Sequence, residues 1–321
     1  MTRHVTWDKG IWLVGHDFWL DPMTVRDLAF VSHAHTDHTR RHRNALMTVG
    51  THRLLTPERR PHASRMLALG EACQVGQASV RLFDAGHMLG SAQLLFEHEG
   101  SRLLYTGDMK LRHGGGRGDT PIPAADVVVI ESTYGRPHFK FPDTDTVTEA
   151  VARWCRRALD VGATPVLLAN AMGKAQEVML ALEPYGFRFA LEERCVPFAR
   201  GYEESGIALP DWVPLDGSPG DRVVVAPPVG KEAIRELGRY RTALISGWAQ
   251  DASFWRVFGA DVAFPLSDHC DFDELLEVVR RSGADKVYTV HGFADDFARH
   301  LRKRGVRAHA LHATEQLALA L

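Results

Sequence analysis

Val31-Ser32-His33-Ala34-His35-Thr36-Asp37-His38 is the stretch on which the reading of this chain turns. It closes a short apolar run, Leu28 to Ser32, that has the character of a strand. The spacing His-x-His-x-Asp-His lets the alternate imidazoles of His33 and His35 converge on one metal ion while Asp37 and His38 turn to a second. A histidine cluster on a plain surface would have the same look but no matching residues further along. Here they follow: Asp84-Ala85-Gly86-His87 comes after an apolar run ending near Phe83, and Tyr105-Thr106-Gly107-Asp108 after the next one. Alone, His87 or Asp108 reads as a loop residue held by a hydrogen bond; in this order each adds a ligand-type side chain just past the end of an expected strand.

The chain has 321 residues, which suits one large domain or two intimate ones, and its 45% hydrophobic and 24% charged content fits a globular protein with a substantial core. A formal net charge of -2 means that a polyanion would have to be held by a local basic cleft or by bound cations. Cys73, Cys155, Cys195 and Cys270 lie far apart with no Cys-x-x-Cys pair; they read as core residues in a reducing compartment. Residues 1–10 have no apolar signal-peptide core and no run reaches membrane-spanning length, so a cytoplasmic protein with no membrane partner is expected.

Short β-branched and aromatic runs dominate the first third: Ile11 to Val14, Leu28 to Ser32, Ser79 to Phe83, Ala92 to Glu97, Leu103 to Thr106 and Val127 to Ile130. A helix is expected between Pro57 and Leu69, giving one β-rich layer with helices against it. From Phe141 the pattern alternates: helices near 146–159 and 174–182, strands near 165–169, 222–226 and 242–245, and a loop over Pro197 to Gly220. A strand at 262–266, a helix at 272–281, a strand at 286–290 and a basic helix at 295–304 close the chain.

The order His-x-His-x-Asp-His, Ala-Gly-His, Thr-Gly-Asp resembles the metallo-β-lactamase superfamily. Ile130-Glu131-Ser132-Thr133-Tyr134-Gly135, Leu266-Ser267-Asp268-His269-Cys270-Asp271 and Thr289-Val290-His291-Gly292 resemble the signatures of its β-CASP nuclease branch. Within that branch, Gly15-His16-Asp17-Phe18-Trp19-Leu20-Asp21-Pro22 and Gly173-Lys174-Ala175-Gln176-Glu177 look most like the bacterial DNA-ligase-associated exonucleases. The resemblance implies an α/β protein, an αββα metallo-β-lactamase sandwich formed by 1–136 and 264–321, with a β-CASP α/β cap inserted at 137–263. It implies two divalent metal ions, zinc with manganese as the other candidate. His33, His35 and His87 would hold one and Asp37, His38 and His291 the other, with Asp108 between them. It assigns catalysis to Asp37, His269 and Glu131, His269 giving a proton to the leaving oxygen while Glu131 fixes its tautomer.

The expected substrate contacts are basic side chains. Lys174 at a helix start could meet a phosphate, Arg40 and Arg41 beside the metal loop could line a nucleic-acid channel, and Arg299, Arg302, Lys303 and Arg304 make a basic stripe. His113-Gly114-Gly115-Gly116 lacks the Gly-x-Ser-x-Gly elbow of an esterase, and Gly173-Lys174 lacks the rest of a phosphate-binding loop. The expected function is a DNA exonuclease in repair or end processing, associated with a DNA ligase. The histidine at 291, a feature of RNA-processing members, supports an RNA nuclease as the alternative. A small-molecule metallo-hydrolase would need neither Glu131 nor His269, and a silent nucleic-acid-binding subunit would have lost ligands that are all present here.

Overall fold

The computed structural model describes residues 5–114, 118–229 and 232–311, so the glycine run 114–118 lies partly outside the described residues. The chain divides into two compact units, one made of Met1–Arg112, Gly118–Lys140 and the segment from His269 onward, the other chiefly of Phe141–Asp268.

The first unit holds two sheets where the apolar periodicity suggested a single β-rich layer. In spatial order the first consists of Val5–Trp7, Ile11–Leu13, Phe18–Leu20, Leu28–Phe30, Asn44–Thr48 and Ala63–Leu67. The second runs Arg307–Ala310, Lys286–Val290, Val127–Glu131, Ser101–Tyr105, Ala92–His98, Ala78–Asp84 and Ala72–Val75. Alternation decides what lies between them. Ile11 and Leu13, Phe18 and Leu20 point inward and meet Val80, Leu82, Leu94, Phe96 and Tyr105 of the other sheet in one buried cluster. The second sheet's far face, with Leu104, Val128, Ile130 and Val287, packs against Leu275, Val278, Phe297 and Leu301 of the helices Phe272–Ser282 and Ala294–Lys303. Strands whose two faces both need cover cannot be counted into layers from sequence, because periodicity gives a face and not the sheet a strand joins.

The helix expected at 57–69 is instead the strand Ala63–Leu67, preceded by a short helix Val49–Leu54. All five residues of the strand pair in parallel with Asn44–Thr48, and this long-range ladder overrides a weak helical spacing.

The second unit is a six-stranded, wholly parallel sheet, ordered Trp212–Pro214, Phe189–Leu191, Val223–Ala226, Thr164–Leu168, Tyr240–Ile245 and Val262–Phe264. The segment expected as a loop at 197–220 contains the helix Val196–Glu204 and the edge strand Trp212–Pro214. The proline in each of these two elements sits where proline is tolerated: Pro197 in a helical first turn, whose amides have no partner within the helix, and Pro214 on a sheet edge. Among the described residues no helix is long and apolar enough to cross a membrane.

Candidate metal centre

Strand direction sets the site. Ala78–Asp84, Ser101–Tyr105, Val127–Glu131 and Lys286–Val290 run the same way in the second sheet, so His87, Asp108, Glu131 and His291 emerge at one edge. The loop after Leu28–Phe30 is tied to that edge where the Ala92 amide donates to the Ser32 carbonyl at 2.9 Å. Gly107 permits the approach: a Cβ there would lie 2.7 Å from the Ser32 Cβ, and its φ of +56° is one a side chain would resist.

Around this edge His33 Nε2 lies 3.1 Å and His87 Nε2 3.2 Å from His35 Nδ1. One ring proton cannot satisfy both contacts. Nitrogens bound to zinc at roughly 2.0–2.1 Å in a tetrahedral array stand about 3.3–3.4 Å apart, so the spacing is that of a coordination edge. Asp108 Oδ2 lies 3.5 Å from His33 Nε2 and 3.4 Å from His38 Nε2. Asp108 is therefore shared by two close groups, His33-His35-His87-Asp108 and His38-Asp108-His291, and by a third with Glu131 and His269. Asp37 stands at the rim, its side chain 47% exposed and its Oδ2 3.6 Å from His38 Nε2.

Two buried atoms at the meeting point, Asp108 Oδ1 and His291 Nε2, have no hydrogen-bond partner among the described residues. Such atoms are costly unless something satisfies them, and a cation beside each would. Burial and the neighbouring His38 charge push His33 well below the usual imidazole range and lower His291 as well, keeping both neutral, the form that ligates. Burial opposes charge on His38 too, but Asp108 and Asp37 together outweigh it and raise its pKa well above the ordinary value. Burial likewise works against the Asp108 charge, and His38 and His33 hold the carboxyl well below its usual range despite it. The donor set of histidine nitrogens and carboxylates fits zinc or manganese.

The family model described as Zn-dependent metallo-hydrolase RNA specificity domain, RMMBL, matches residues 262–311. Over 329 aligned residues the chain is 38% identical to "Probable DNA ligase" of Opitutus terrae, a match covering 100% of this chain and 32% of that protein. An "RNase J-like protein" of Methanocaldococcus jannaschii is 35% identical over 109 residues, 33% of this chain and 25% of its own length. The chain belongs to the β-CASP branch of the metallo-β-lactamase superfamily. It spans about a third of the ligase-named relative and a quarter of the RNase J-like one. The fold is shared with a protein of unknown function from Enterococcus faecalis V583, at a TM-score of 0.57 and 15% identity, covering 89% of this chain and 79% of that one.

In this β-CASP chain Glu131 is fully buried, and both its carboxylate oxygens lie 3.0 Å from His269 Nδ1. The Met109 amide donates to Glu131 Oε1 at 2.8 Å, and the Thr133 hydroxyl donates to Oε2. The Cys270 amide donates to the Met109 carbonyl at 2.8 Å, so one residue braces both the carboxylate and the loop carrying the histidine. Asp271 caps the helix that follows, with Glu274 completing a capping box worth about 1 kcal/mol. The Glu131 carboxylate accepts from His269 Nδ1, and the His269 ring lies 4.6 Å from that of His87.

Asp21 stands at the same site, although the sequence assigns it no role. It is 5% exposed, and its Oδ2 accepts from His38 Nδ1 at 2.8 Å, from the Tyr105 hydroxyl at 2.8 Å, and from the Ser32 hydroxyl. Ser32 Oγ in turn lies 3.0 Å from His33 Nδ1. One carboxylate thus fixes two imidazoles with Nε2 facing Asp108. Burial and Asp21 hold the Tyr105 phenol well above its usual pKa, which keeps it a donor. The signal in the sequence was an aspartate closing the strand Phe18–Leu20 before a proline.

The structure gives other parts to two of the expected substrate contacts. Lys174 is 3% exposed, its ammonium bonded to the Glu177 carboxylate and 3.2 Å from Asp268. Arg40 donates to the carbonyls of Met23, Thr36 and Thr39, and Arg59 reaches the last two as well, so both arginines clamp the metal loop. Arg41 is exposed.

Proposed function

We propose that this chain is a nuclease that hydrolyses phosphodiester bonds with two divalent cations, zinc or manganese, held by His33, His35, Asp37, His38, His87, Asp108 and His291. The observation that carries the reading is the placement of Asp108 in two ligand groups at once, with the Glu131–His269 pair alongside. Two cations at such a site supply Lewis acidity toward a phosphoryl oxygen and lower the pKa of a water poised for in-line attack. The protein's own part is to hold that geometry through Asp21, to deliver a proton from His269 to the leaving oxygen, and to stabilise the imidazolium through Glu131.

We favour DNA ends as substrate, in repair or end processing beside a ligase. The support is that a match to the full length of this chain lies within a protein named a DNA ligase; a nuclease so tethered would trim ends for sealing. RNA is the second reading, favoured by the RNA-specificity description of the model matching 262–311 and by the histidine at 291.

The test is a gel assay of end-labelled single-stranded DNA and RNA with zinc or manganese, beside Asp108→Ala. A DNA ladder growing from one end and absent in the variant is expected. Cleavage of RNA alone would transfer the protein to RNA processing, and cleavage of neither would end the nuclease reading.

A further inference from the structure

In the compact unit that also holds the ligand cluster, a recess is lined in part by Arg136, Asp296, Arg299, His300 and Lys303. The last four lie at i, i+3, i+4 and i+7 of the helix Ala294–Lys303 and so share one face. Asp296 organises the cations: its Oδ2 accepts from Arg136 Nε at 2.5 Å and its Oδ1 from Arg299 Nη1 at 2.6 Å. Arg136 is further fixed by its guanidinium carbon, 3.9 Å over the Phe293 ring. Hydrogen bonding from Arg136 holds the Asp296 carboxyl below its ordinary pKa, so it stays charged, while burial and then Arg304 keep the His300 imidazole below its own. Three cations therefore face one carboxylate and the recess carries a surplus of two positive charges. Arg136 and Arg299 are 45% and 57% exposed, open to a ligand. Arg302 of the same helix turns elsewhere and donates to the Ala308 carbonyl, so the basic stripe read from sequence is in fact divided between faces.

The recess is covalently close to the chemistry. Arg136 follows Glu131 by five residues and Asp296 follows His291 by five, and the two segments are joined where the Phe293 amide donates to the Ser132 carbonyl at 2.8 Å. Five residues span at most about 18 Å. Lys303 lies seven residues further along the helix from Asp296, about 10 Å at 1.5 Å of rise per residue, so the whole site falls within about 28 Å, or about eight nucleotides at roughly 3.4 Å of rise each.

We propose that Arg136, Arg299 and Lys303 form a secondary binding site for the backbone phosphates of the nucleic-acid strand whose end or scissile bond lies at the metal centre. Paired guanidinium groups pre-oriented by a carboxylate suit phosphate oxygens, and contact with the backbone asks nothing of the sequence. This inference rests on the nuclease reading above.

The experiment measures KM and kcat of the zinc- or manganese-loaded protein on a fluorescein-labelled 30-nucleotide single strand, over a range of KCl concentrations. It compares wild type, Arg299→Gln/Lys303→Gln, and the charge-matched Arg153→Gln/Arg157→Gln on the helix Thr144–Asp160. Loss of two phosphate contacts should raise KM about 10- to 30-fold at 0.1 M salt and reduce the slope of log KM against log salt by about 1.4. The charge-matched variant should follow wild type, and thermal unfolding should be the same in all three. If wild type cuts the strand and Arg299→Gln/Lys303→Gln retains its KM and salt slope, the inference fails while the nuclease reading stands. Equal losses in both double variants would also overturn it, since net charge alone would then be acting. A wild type that cuts no nucleic acid defeats the nuclease reading itself, and this one with it.

Discussion

Asp21 shows how much of the metal centre depends on a side chain that is outside the two ligand groups around Asp108. Its partners Ser32, His38 and Tyr105 are 11, 17 and 84 residues away, distances at which no local motif gives a warning. Asp21→Asn keeps the shape and removes the charge that holds the proton on His38 Nδ1. Changes at such a supporting carboxylate usually cost 10–100-fold in metal affinity, and that loss is expected here in a competitive zinc titration against a fluorescent chelator. Unaltered affinity would mean that His33 and His38 are oriented by packing alone. The ligand-type residues themselves were legible, because His-x-His-x-Asp-His is a local spacing and His87, Asp108 and His291 each follow a strand directly. The burial of Lys174 was not: beside Glu177 in its own helix it meets Asp268, 94 residues further along the chain.

At the scale of elements, the turn after Lys286–Val290 is tightly constrained. His291 takes a φ of +59°, unusual for a non-glycine residue, and Gly292 follows at +49° with the Thr133 Cα 2.4 Å from where its Cβ would be. The obstacle is backbone and cannot swing aside. Gly292→Ala should therefore destabilise the protein by more than about 2 kcal/mol, lowering its melting temperature by several degrees in a differential scan. Gly118→Ala, with nothing within 4 Å, should melt like wild type. The elements most clearly read from sequence were those with their own signature: the helix Phe272–Ser282 with its capping box, and the helix Lys174–Leu182. The strand Ala63–Leu67 and the edge strand Trp212–Pro214 were missed because a backbone ladder to a distant partner, not side-chain pattern, makes them.

For the whole molecule, the four cysteines report on the integrity of the cores. All are buried, and burial pushes the thiols of Cys155 and Cys195 up to about 12; burial, then Glu274, also raises Cys270 well above the usual thiol range. A disulfide reagent at pH 8 should find essentially no reactive thiol in the native protein and four after denaturation in guanidinium. Fast native reaction would mean that one of the units opens readily. The sequence by itself determined the ligand types, their order at strand ends and, through the β-CASP resemblance, the architecture, since these depend on local spacing and face periodicity. Only the tertiary structure decided that there are two sheets in the first unit, that Asp108 belongs to both ligand groups, that Asp21 orients two of the histidines, and that Arg299 and Lys303 turn to Arg136 while Arg302 does not. Each of these is a meeting of residues far apart in the chain, fixed by burial and hydrogen bonding that no local pattern encodes.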